Sequence, residues 1–188
     1  MTRNSEVQEA DLVDRARGGD VAAFEALYRS YVGRVYGLCI RLTSDSVEAE
    51  DCAQETFIAA WQKLPEFRGE SRLMTWLHSI AYHKVLGRHR SRERHGNHLK
   101  AIEAETSRPD FDEHRDLEAA ISRLPDRARG ALVLQKIYGY THAETAGIMG
   151  ITTGACKAQV HRAIQLLAVA LPTDAGDDGS VTADGESR

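Results

Sequence analysis

The sequence is poor in cysteine, and the few cysteines it has are not arranged as a site. Its 188 residues include three cysteines, widely spaced and without a Cys-x-x-Cys pair. An odd number of scattered cysteines argues against a disulfide framework, so we interpret Cys39, Cys52 and Cys156 as small buried apolar residues. Eight histidines are present, but no cysteine or carboxylate pattern of a zinc site accompanies them. We therefore expect no bound metal and no other cofactor.

Long apolar segments are also absent. No run approaches the roughly 20 residues that a membrane-spanning helix needs, so we expect no direct insertion into a membrane. The first eleven residues, MTRNSEVQEAD, lack the apolar stretch of a secretory signal peptide. With 42% hydrophobic and 28% charged residues, the composition is typical of a soluble folded chain, and we expect a cytoplasmic protein.

The alternating pattern of β-strands is nearly absent, and apolar residues recur every three or four positions instead. This spacing predicts an all-α fold. In the second long helix, for example, Ser46 is the predicted N-cap, Phe57, Ile58 and Trp61 are predicted on the inner side, and Pro65 ends the helix.

The helical segments group into two small domains joined by a flexible linker. Residues 8–94 form the first domain and residues 114–171 the second. Between them, residues 95–113 have few apolar side chains and mostly acidic charge, so they cannot bury enough surface to offset their chain entropy. The last residues, 172–188, are rich in Asp, Gly, Ser and Thr, which predicts a disordered acidic tail.

The net charge of −4 conceals a strong segregation of charge. Residues 65–102 carry a net charge of +5 and residues 119–171 one of +4, whereas the intervening residues 103–118 carry −5. Two basic blocks separated by an acidic one favour two separate contacts with nucleic acid over one continuous groove.

The strongest motif lies between Tyr140 and Leu167. Thr141-His-Ala-Glu144 has the pattern of a capping box at the start of a short helix, and a glycine-containing turn separates that helix from a longer one. The outer face of such a helix-turn-helix fits the major groove of DNA. An ordinary helical hairpin with a solvated outer face has the same pattern. The expected inner residues are Ala143, Ala146, Ile148, Ile151, Val160, Ile164 and Leu167, and the expected outer ones are Thr153, Lys157, Gln159 and Arg162.

Both domains contain motifs that match one known family. The second domain has Leu124-Pro-Asp-Arg-Ala-Arg129 and Gly150-Ile-Thr-Thr-Gly-Ala-Cys-Lys157, and the first has Glu48-Ala-Glu-Asp-Cys-Ala-Gln-Glu-Thr-Phe57 and Leu73-Met-Thr-Trp-Leu77. They resemble, respectively, the −35-binding domain and the polymerase-binding and −10 segments of the extracytoplasmic function (ECF) sigma factors. The resemblance extends from about residue 8 to residue 171. It implies a protein without a catalytic centre that binds core RNA polymerase, recognises the −35 and −10 promoter elements and promotes promoter melting.

The resemblance assigns the contact with polymerase to Asp51, Gln54 and Glu55. We expect these side chains on one face of the predicted second helix, opposite Phe57 and Trp61. In the family this surface docks on the coiled-coil clamp of the β′ subunit, and the β subunit is a further expected contact. The resemblance also implies an anti-sigma factor that would cover the same surfaces.

The same resemblance assigns the −10 element to residues 66–94. The loop that begins at Phe67 would receive a base unstacked from the melted strand. Cations and an aromatic ring would flank that strand, although Trp76 fits a place in the core equally well. Tyr82-His83-Lys84 departs from the family pattern, so the base preference stays open. The assigned residues are Phe67, Arg68, Gly69, Glu70, Arg72, Trp76, His83, Lys84, Arg88 and Arg90.

The −35 element is assigned to the second helix of the helix-turn-helix and to the start of the first. Ala158-Gln159 stands where the family usually has serine and arginine, which predicts one phosphate contact fewer in this chain. The assigned residues are Thr141, Thr152, Thr153, Ala155, Lys157, Ala158, Gln159, His161 and Arg162.

Two other functions fit parts of the sequence. A stand-alone DNA-binding regulator would use only the C-terminal helix-turn-helix, and binding of residues 1–95 to core polymerase would argue against it. A small helical enzyme would use Asp51, Glu55 and nearby histidines, but no pairing with a nucleophile or a metal is evident from their spacing.

Overall fold

The computed structural model of the chain describes residues 3–94 and 113–171. Every regular element within these two ranges is helical, which confirms the predicted all-α class. The predicted linker, apart from its last residue, and the predicted tail lie outside the described residues. The first domain contains α1 (Arg3–Arg17), α2 (Val21–Thr43), α3 (Ser46–Lys63), a 3₁₀ turn (Leu64–Glu66) and α4 (Leu73–Arg94); the second contains α5 (Glu113–Ser122), α6 (Asp126–Leu132), a π-helical turn (Val133–Ile137), α7 (His142–Met149) and α8 (Thr153–Ala170).

Aspartates cap the two long helices that follow α1. The Asp20 carboxylate accepts hydrogen bonds from backbone N–H groups in the first turn of α2. At the start of α3 the cap is Asp45, whose carboxylate accepts from the N–H of Glu48 at 3.0 Å. The prediction of Ser46 was therefore wrong by one position. Asp45 has the extended backbone that an N-cap requires, with φ −137° and ψ 121°, whereas Ser46 is already helical.

The core of the first domain forms where α2 packs against α3 and α4. Val35, Leu38 and Cys39 of α2 are fully buried, as is Cys52 of α3. Ile58 was predicted to face inward and is instead 59% exposed. The reason is geometric: successive residues of a helix are rotated by about 100°, which places position 58 on the side of α3 opposite the buried stripe.

The second domain packs directly on the first, and buried residues of both belong to one apolar cluster. Gly130 of α6 lies against the ring of Tyr82 of α4, and a Cβ atom at that glycine would be 2.6 Å from Cε2 of the ring. Non-bonded carbon atoms do not approach so closely without strain, so α6 reaches α4 because residue 130 has no side chain. The sequence did not predict this contact.

Polar side chains also join the two domains. The buried guanidinium of Arg129 donates from Nη1 to the carbonyl oxygen of Leu42 at 2.6 Å and from Nη2 to that of Leu124 at 3.2 Å. Burial lowers the pKa of Arg129. Nearby, Nδ1 of His89 on α4 is 2.8 Å from Oδ2 of Asp126 on α6. These contacts hold α6 in a defined position against α2 and α4.

The second domain has a smaller apolar cluster of its own, which holds α6 against α8. On α8 a narrow stripe of Cys156, Val160 and Ala163 is buried. Ala143 and Ile164 were predicted to face inward and are exposed, Ile164 by 47%. The prediction for Ile164 was wrong because the buried stripe of α8 is only one residue wide, and Ile164 lies about 100° around the helix from Ala163. The prediction for Ala143 was wrong because this residue lies on the side of α7 away from the buried Thr145, Ile148 and Met149.

Candidate functional site

Two threonines define the starts of the helices in the helix-turn-helix. The Thr141 hydroxyl accepts from the N–H of Glu144 at 3.2 Å and the Glu144 carboxylate accepts from the N–H of Thr141 at 2.8 Å, which confirms the predicted capping box. The hydrogen bonds that the Glu144 carboxylate accepts from the backbone N–H and the hydroxyl of Thr141 lower its pKa. Helix α7 ends at Gly150, whose φ of 64° favours glycine, and the Thr152 hydroxyl accepts from the N–H of Ala155 at 3.2 Å. Both threonines therefore stabilise the motif itself.

Helix α8 presents the outer face that the sequence predicted. Gln159 is half-buried at its edge. Lys157 and Arg162 are exposed, and neither forms an ion pair with a residue of the two described ranges. Both cations are therefore accessible to an anionic partner. The exposed members of the assigned −35 set on this helix are Thr153, Ala155, Lys157, Ala158, His161 and Arg162.

The loop before α4 brings the first assigned −10 residues next to Trp76. The ring centroids of Phe67 and Trp76 are 4.9 Å apart, with an angle of 40° between the ring planes, and both side chains are half-buried. Trp76 thus belongs partly to the core and is partly accessible. Gly69, with φ of 73°, turns the loop. The exposed assigned side chains here are Arg68, Glu70 and Arg72.

The other assigned −10 residues lie on different sides of α4. His83 contacts the second domain, since Cε1 of its ring is 3.5 Å from the position that a Cβ atom would take at Gly150. Lys84 and Arg88 bond to side chains of α3, and Arg90 is exposed. The structure therefore does not bring the whole −10 set onto one surface.

The three residues assigned to polymerase binding lie along the outer side of α3. Asp51 and Gln54 are exposed, and Glu55 is half-buried. Arg88 bonds to two of them: Nη1 is 3.0 Å from Oδ2 of Asp51, and Nη2 is 2.5 Å from Oε1 of Glu55. Oε2 of Glu55 also lies 3.6 Å from Nζ of Lys84. The hydrogen bond between Arg88 and Glu55 lowers the pKa of the carboxyl and raises that of the guanidinium.

Two exposed apolar residues share this face and were not predicted to be functional. Ile58 is 59% exposed and Val47 is 70% exposed. Ile58 follows Gln54 by four positions and Val47 precedes it by seven, so the three side chains lie in one stripe along α3. That spacing indicates that Val47 and Ile58 share the exposed face of Gln54. The sequence prediction placed Ile58 inside because it adjoins Phe57, which is a core residue.

Several polar side chains are buried without any signal in the sequence. Glu48 is 7% exposed and accepts a hydrogen bond from Arg92. His78 is 1% exposed, and its Nδ1 is 2.9 Å from the hydroxyl of Tyr140 in the second domain. Periodicity cannot reveal such residues, because what permits their burial is a partner distant in the sequence.

The three cysteines are buried, as predicted. Burial raises the pKa of the Cys39 thiol to about 12 and that of the Cys52 thiol to about 11. Within the described ranges, no group of three or more His, Cys, Asp or Glu side chains is placed to hold a metal ion. In the same part of the chain, no helix combines the length and apolar character needed to cross a membrane.

Two family models match the chain, one in each domain. The model described as Sigma-70 region 2 matches residues 27–95, and the model described as Sigma-70, region 4 matches residues 114–167. Domains of these two kinds bind the −10 and −35 promoter elements. The fold and the helix-turn-helix, together with these matches, define a DNA-binding protein of transcription initiation.

The relatives of the chain define its group within that class. The chain is 32% identical over 181 residues to the RNA polymerase sigma-H factor of Pseudomonas aeruginosa, with 87% of this chain and 94% of the relative covered. It is 30% identical over 173 residues to the ECF RNA polymerase sigma-E factor of Haemophilus influenzae, with 83% and 91% covered. The chain belongs to the ECF sigma factors of the sigma-70 family.

Two solved structures have a similar fold. RpoE from Bartonella quintana, in complex with the anti-sigma factor NepR, has a TM-score of 0.66 at 26% identity and covers 82% of this chain and 99% of its own. CnrH, in complex with the cytosolic domain of CnrY, has a TM-score of 0.65 at 22% identity and covers 89% of this chain and 99% of its own. The second similarity is one of fold alone.

Proposed function

We propose that the chain, bound to core RNA polymerase, holds promoter DNA at two places and promotes melting at the −10 element. It acts in the cytoplasm, where the polymerase and the promoters are, and the chemistry of RNA synthesis belongs to the polymerase. The observation that carries the proposal is the exposed outer face of α8, whose two cations form no ion pair within residues 3–94 and 113–171 and which follows a capped helix and a tight turn.

The −35 contact is proposed for α8. The exposed Lys157 and Arg162 can bond to phosphates, and Thr153 and Ala155 lie in the first turn, where a recognition helix approaches the base edges. Ala158 and Gln159 offer no positive charge to a phosphate. The affinity for −35 duplex should therefore depend strongly on the two cations that α8 does have.

The −10 contact is proposed for the loop before α4 and the first turns of that helix. Arg68 and Arg72 are exposed beside the paired rings of Phe67 and Trp76. Extracting a base from the duplex costs about a few kcal/mol, and stacking on aromatic rings together with phosphate contacts offsets that cost. This end of α4 is therefore suited to hold a melted strand.

The polymerase contact is proposed for the outer side of α3. Its carboxylates are complementary to a basic surface, which the coiled-coil clamp of β′ would provide. Val47 and Ile58 add exposed apolar area beside Asp51 and Gln54. A mixture of apolar contact with surrounding polar groups is typical of protein interfaces.

A restraining protein partner is part of the proposal. RpoE and CnrH are each bound to a partner in their solved structures, and NepR is described as an anti-sigma factor. A comparable anti-sigma factor of this chain would cover the outer side of α3 or of α8, because initiation requires both surfaces.

The proposal is tested by transcription in vitro with purified core RNA polymerase, the full-length chain and templates with randomised upstream regions. We expect start-site selection that core polymerase alone lacks, with two recurrent boxes among the transcribed templates. Arg162→Glu should reduce selection of the upstream box about tenfold and weaken the salt dependence of duplex binding. Lys136→Glu, at an exposed position of the same domain outside α8, is the matched control. Selection that does not depend on the added chain would contradict the proposal.

A further inference from the structure

Arg88 is assigned to one surface and bonded to another. The family pattern assigns it to the −10 strand, yet its two terminal nitrogens bond to carboxylates that are assigned to the polymerase. The donors of a guanidinium lie in a fixed planar fork, so these bonds use the groups that would otherwise reach a phosphate. The phosphates of DNA and the carboxylates of α3 therefore compete for one side chain.

The ion pairs of Arg88 are accessible to a partner. The side chains of Arg88, Asp51 and Glu55 are 32%, 51% and 38% exposed, respectively. An open depression of about 510 Å³ borders Asp51 and Arg88. A cation of another protein can reach the carboxylates from solvent while α3 and α4 stay folded. Partly exposed ion pairs add little to stability, so replacing one cation by another costs little.

We propose that Arg88 is a counter-ion shared between the polymerase surface and the −10 strand, an inference that rests on the proposed function. In the free protein Arg88 forms ion pairs with the carboxylates of Asp51 and Glu55 and does not bind DNA. When a cation of the polymerase pairs with those carboxylates instead, Arg88 is free to bind the phosphates of the −10 strand.

The exchange couples two binding events on one domain. By thermodynamic reciprocity, polymerase raises the affinity for the −10 strand by the same factor as the strand raises the affinity for polymerase. A protein with this coupling holds single-stranded DNA weakly on its own and tightly in the initiating complex.

The first test measures DNA binding by the full-length chain without polymerase. The probe is a fluorescein-labelled 20-nucleotide oligothymidine at 50 mM salt, followed by anisotropy. The variant Asp51→Asn with Glu55→Gln frees Arg88, and the control Glu50→Gln with Glu66→Gln removes the same charge at exposed positions that do not bond to Arg88. We expect the first variant to bind at least about threefold more tightly than the control. Adding Arg88→Gln should abolish that difference. Equal affinities of the two double variants, or a difference that survives Arg88→Gln, would overturn the proposal.

The second test measures binding of the same variants to core RNA polymerase without DNA. Arg88→Gln leaves the carboxylates uncovered and should tighten binding about threefold, and Arg88→Lys should have an intermediate effect because lysine lacks the fork. Arg123→Gln removes an exposed cation that is assigned to none of the proposed surfaces and should leave the affinity unchanged. Unchanged or weaker binding by both folded Arg88 variants would overturn the proposal.

The two tests separate the inference from the function on which it rests. If the outer side of α3 does not bind polymerase, the variant Asp51→Asn with Glu55→Gln retains full polymerase affinity. If the counter-ion is not shared, that variant loses polymerase affinity as expected but shows no Arg88-dependent gain for the oligothymidine.

Discussion

His78 is a titratable residue that is buried at the contact between the two domains. Its ring lies against those of Tyr138 and Tyr140, with centroids 4.8 Å and 5.8 Å away. Burial lowers its pKa to about 4, so the imidazole is neutral at pH 7. A neutral ring fits this site, because Nδ1 can accept a hydrogen bond from the Tyr140 hydroxyl without a buried charge.

The low pKa of His78 makes the folded state sensitive to acid. Between pH 6.5 and about 4 the unfolded chain binds a proton at this residue that the folded chain does not. The contribution of His78 to the free energy of unfolding is complete above pH 6.5. It is lost as the pH falls toward 4, by up to about 3 kcal/mol. In urea unfolding, His78→Gln should lose less stability than the wild type between pH 7 and pH 5. His161→Gln, at an exposed position, should lose as much as the wild type, and equal losses in all three proteins would contradict the prediction.

Asp51 is exposed, so its substitution should affect binding rather than folding. Asp51→Ala breaks a partly exposed ion pair, which changes the free energy of unfolding by less than about 1 kcal/mol. We expect the affinity for core polymerase to fall about fivefold in an anisotropy titration of the labelled chain. Glu25→Ala breaks another exposed ion pair, that with Arg29 on α2, and serves as the control. The same loss in both variants would remove Asp51 from the proposed interface.

At the scale of elements, α6 packs closely against α4 because residue 130 has no side chain. A methyl group at Gly130 would overlap the buried ring of Tyr82, and neither helix can move without losing apolar contacts. We expect Gly130→Ala to lower the free energy of unfolding by about 1–3 kcal/mol in thermal or urea unfolding. Gly147→Ala on α7 has open space around the new methyl and should be neutral or stabilising. Restored stability in Gly130→Ala with Tyr82→Leu would locate the overlap, and a stable single variant would refute it.

Helix α3 also shows how far a sequence pattern reaches. The helix and its carboxylate face follow from residue spacing alone, which depends only on local geometry. Whether Ile58 faces out depends on how α2 and α4 flank the helix, and that is not local information. The contact between the domains was even less accessible. The hydrogen bond from Arg129 to the carbonyl oxygen of Leu42 joins positions 87 residues apart. The residues next to Arg129 in the sequence do not indicate that this arginine is buried.

At the scale of the whole molecule, we expect the two domains to unfold together, because buried residues of both belong to one apolar cluster. The smaller cluster of the second domain, formed by Leu124, Ala128, Leu132 and Ala163, is too limited to stabilise that domain strongly alone.

We therefore expect a single calorimetric transition for the wild-type chain. Arg129→Met leaves the carbonyl oxygens of Leu42 and Leu124 without this donor and should cost about 2–4 kcal/mol. In that variant the second domain should melt separately and at lower temperature. Arg123→Met, at an exposed position, should retain the single transition. Two resolved transitions in the wild type would show that the domains are not thermodynamically coupled.

The burial of all three thiols limits how the molecule can respond to oxidants. A cysteine reacts as its thiolate, and burial raises the pKa of Cys39, Cys52 and Cys156 while also excluding reagents from them. Peroxide or a thiol-directed alkylating agent therefore finds no accessible cysteine in the folded chain. A stimulus that acts by oxidising thiols would have to be sensed by another molecule, and the rate of cysteine alkylation in this one would report how often the fold opens.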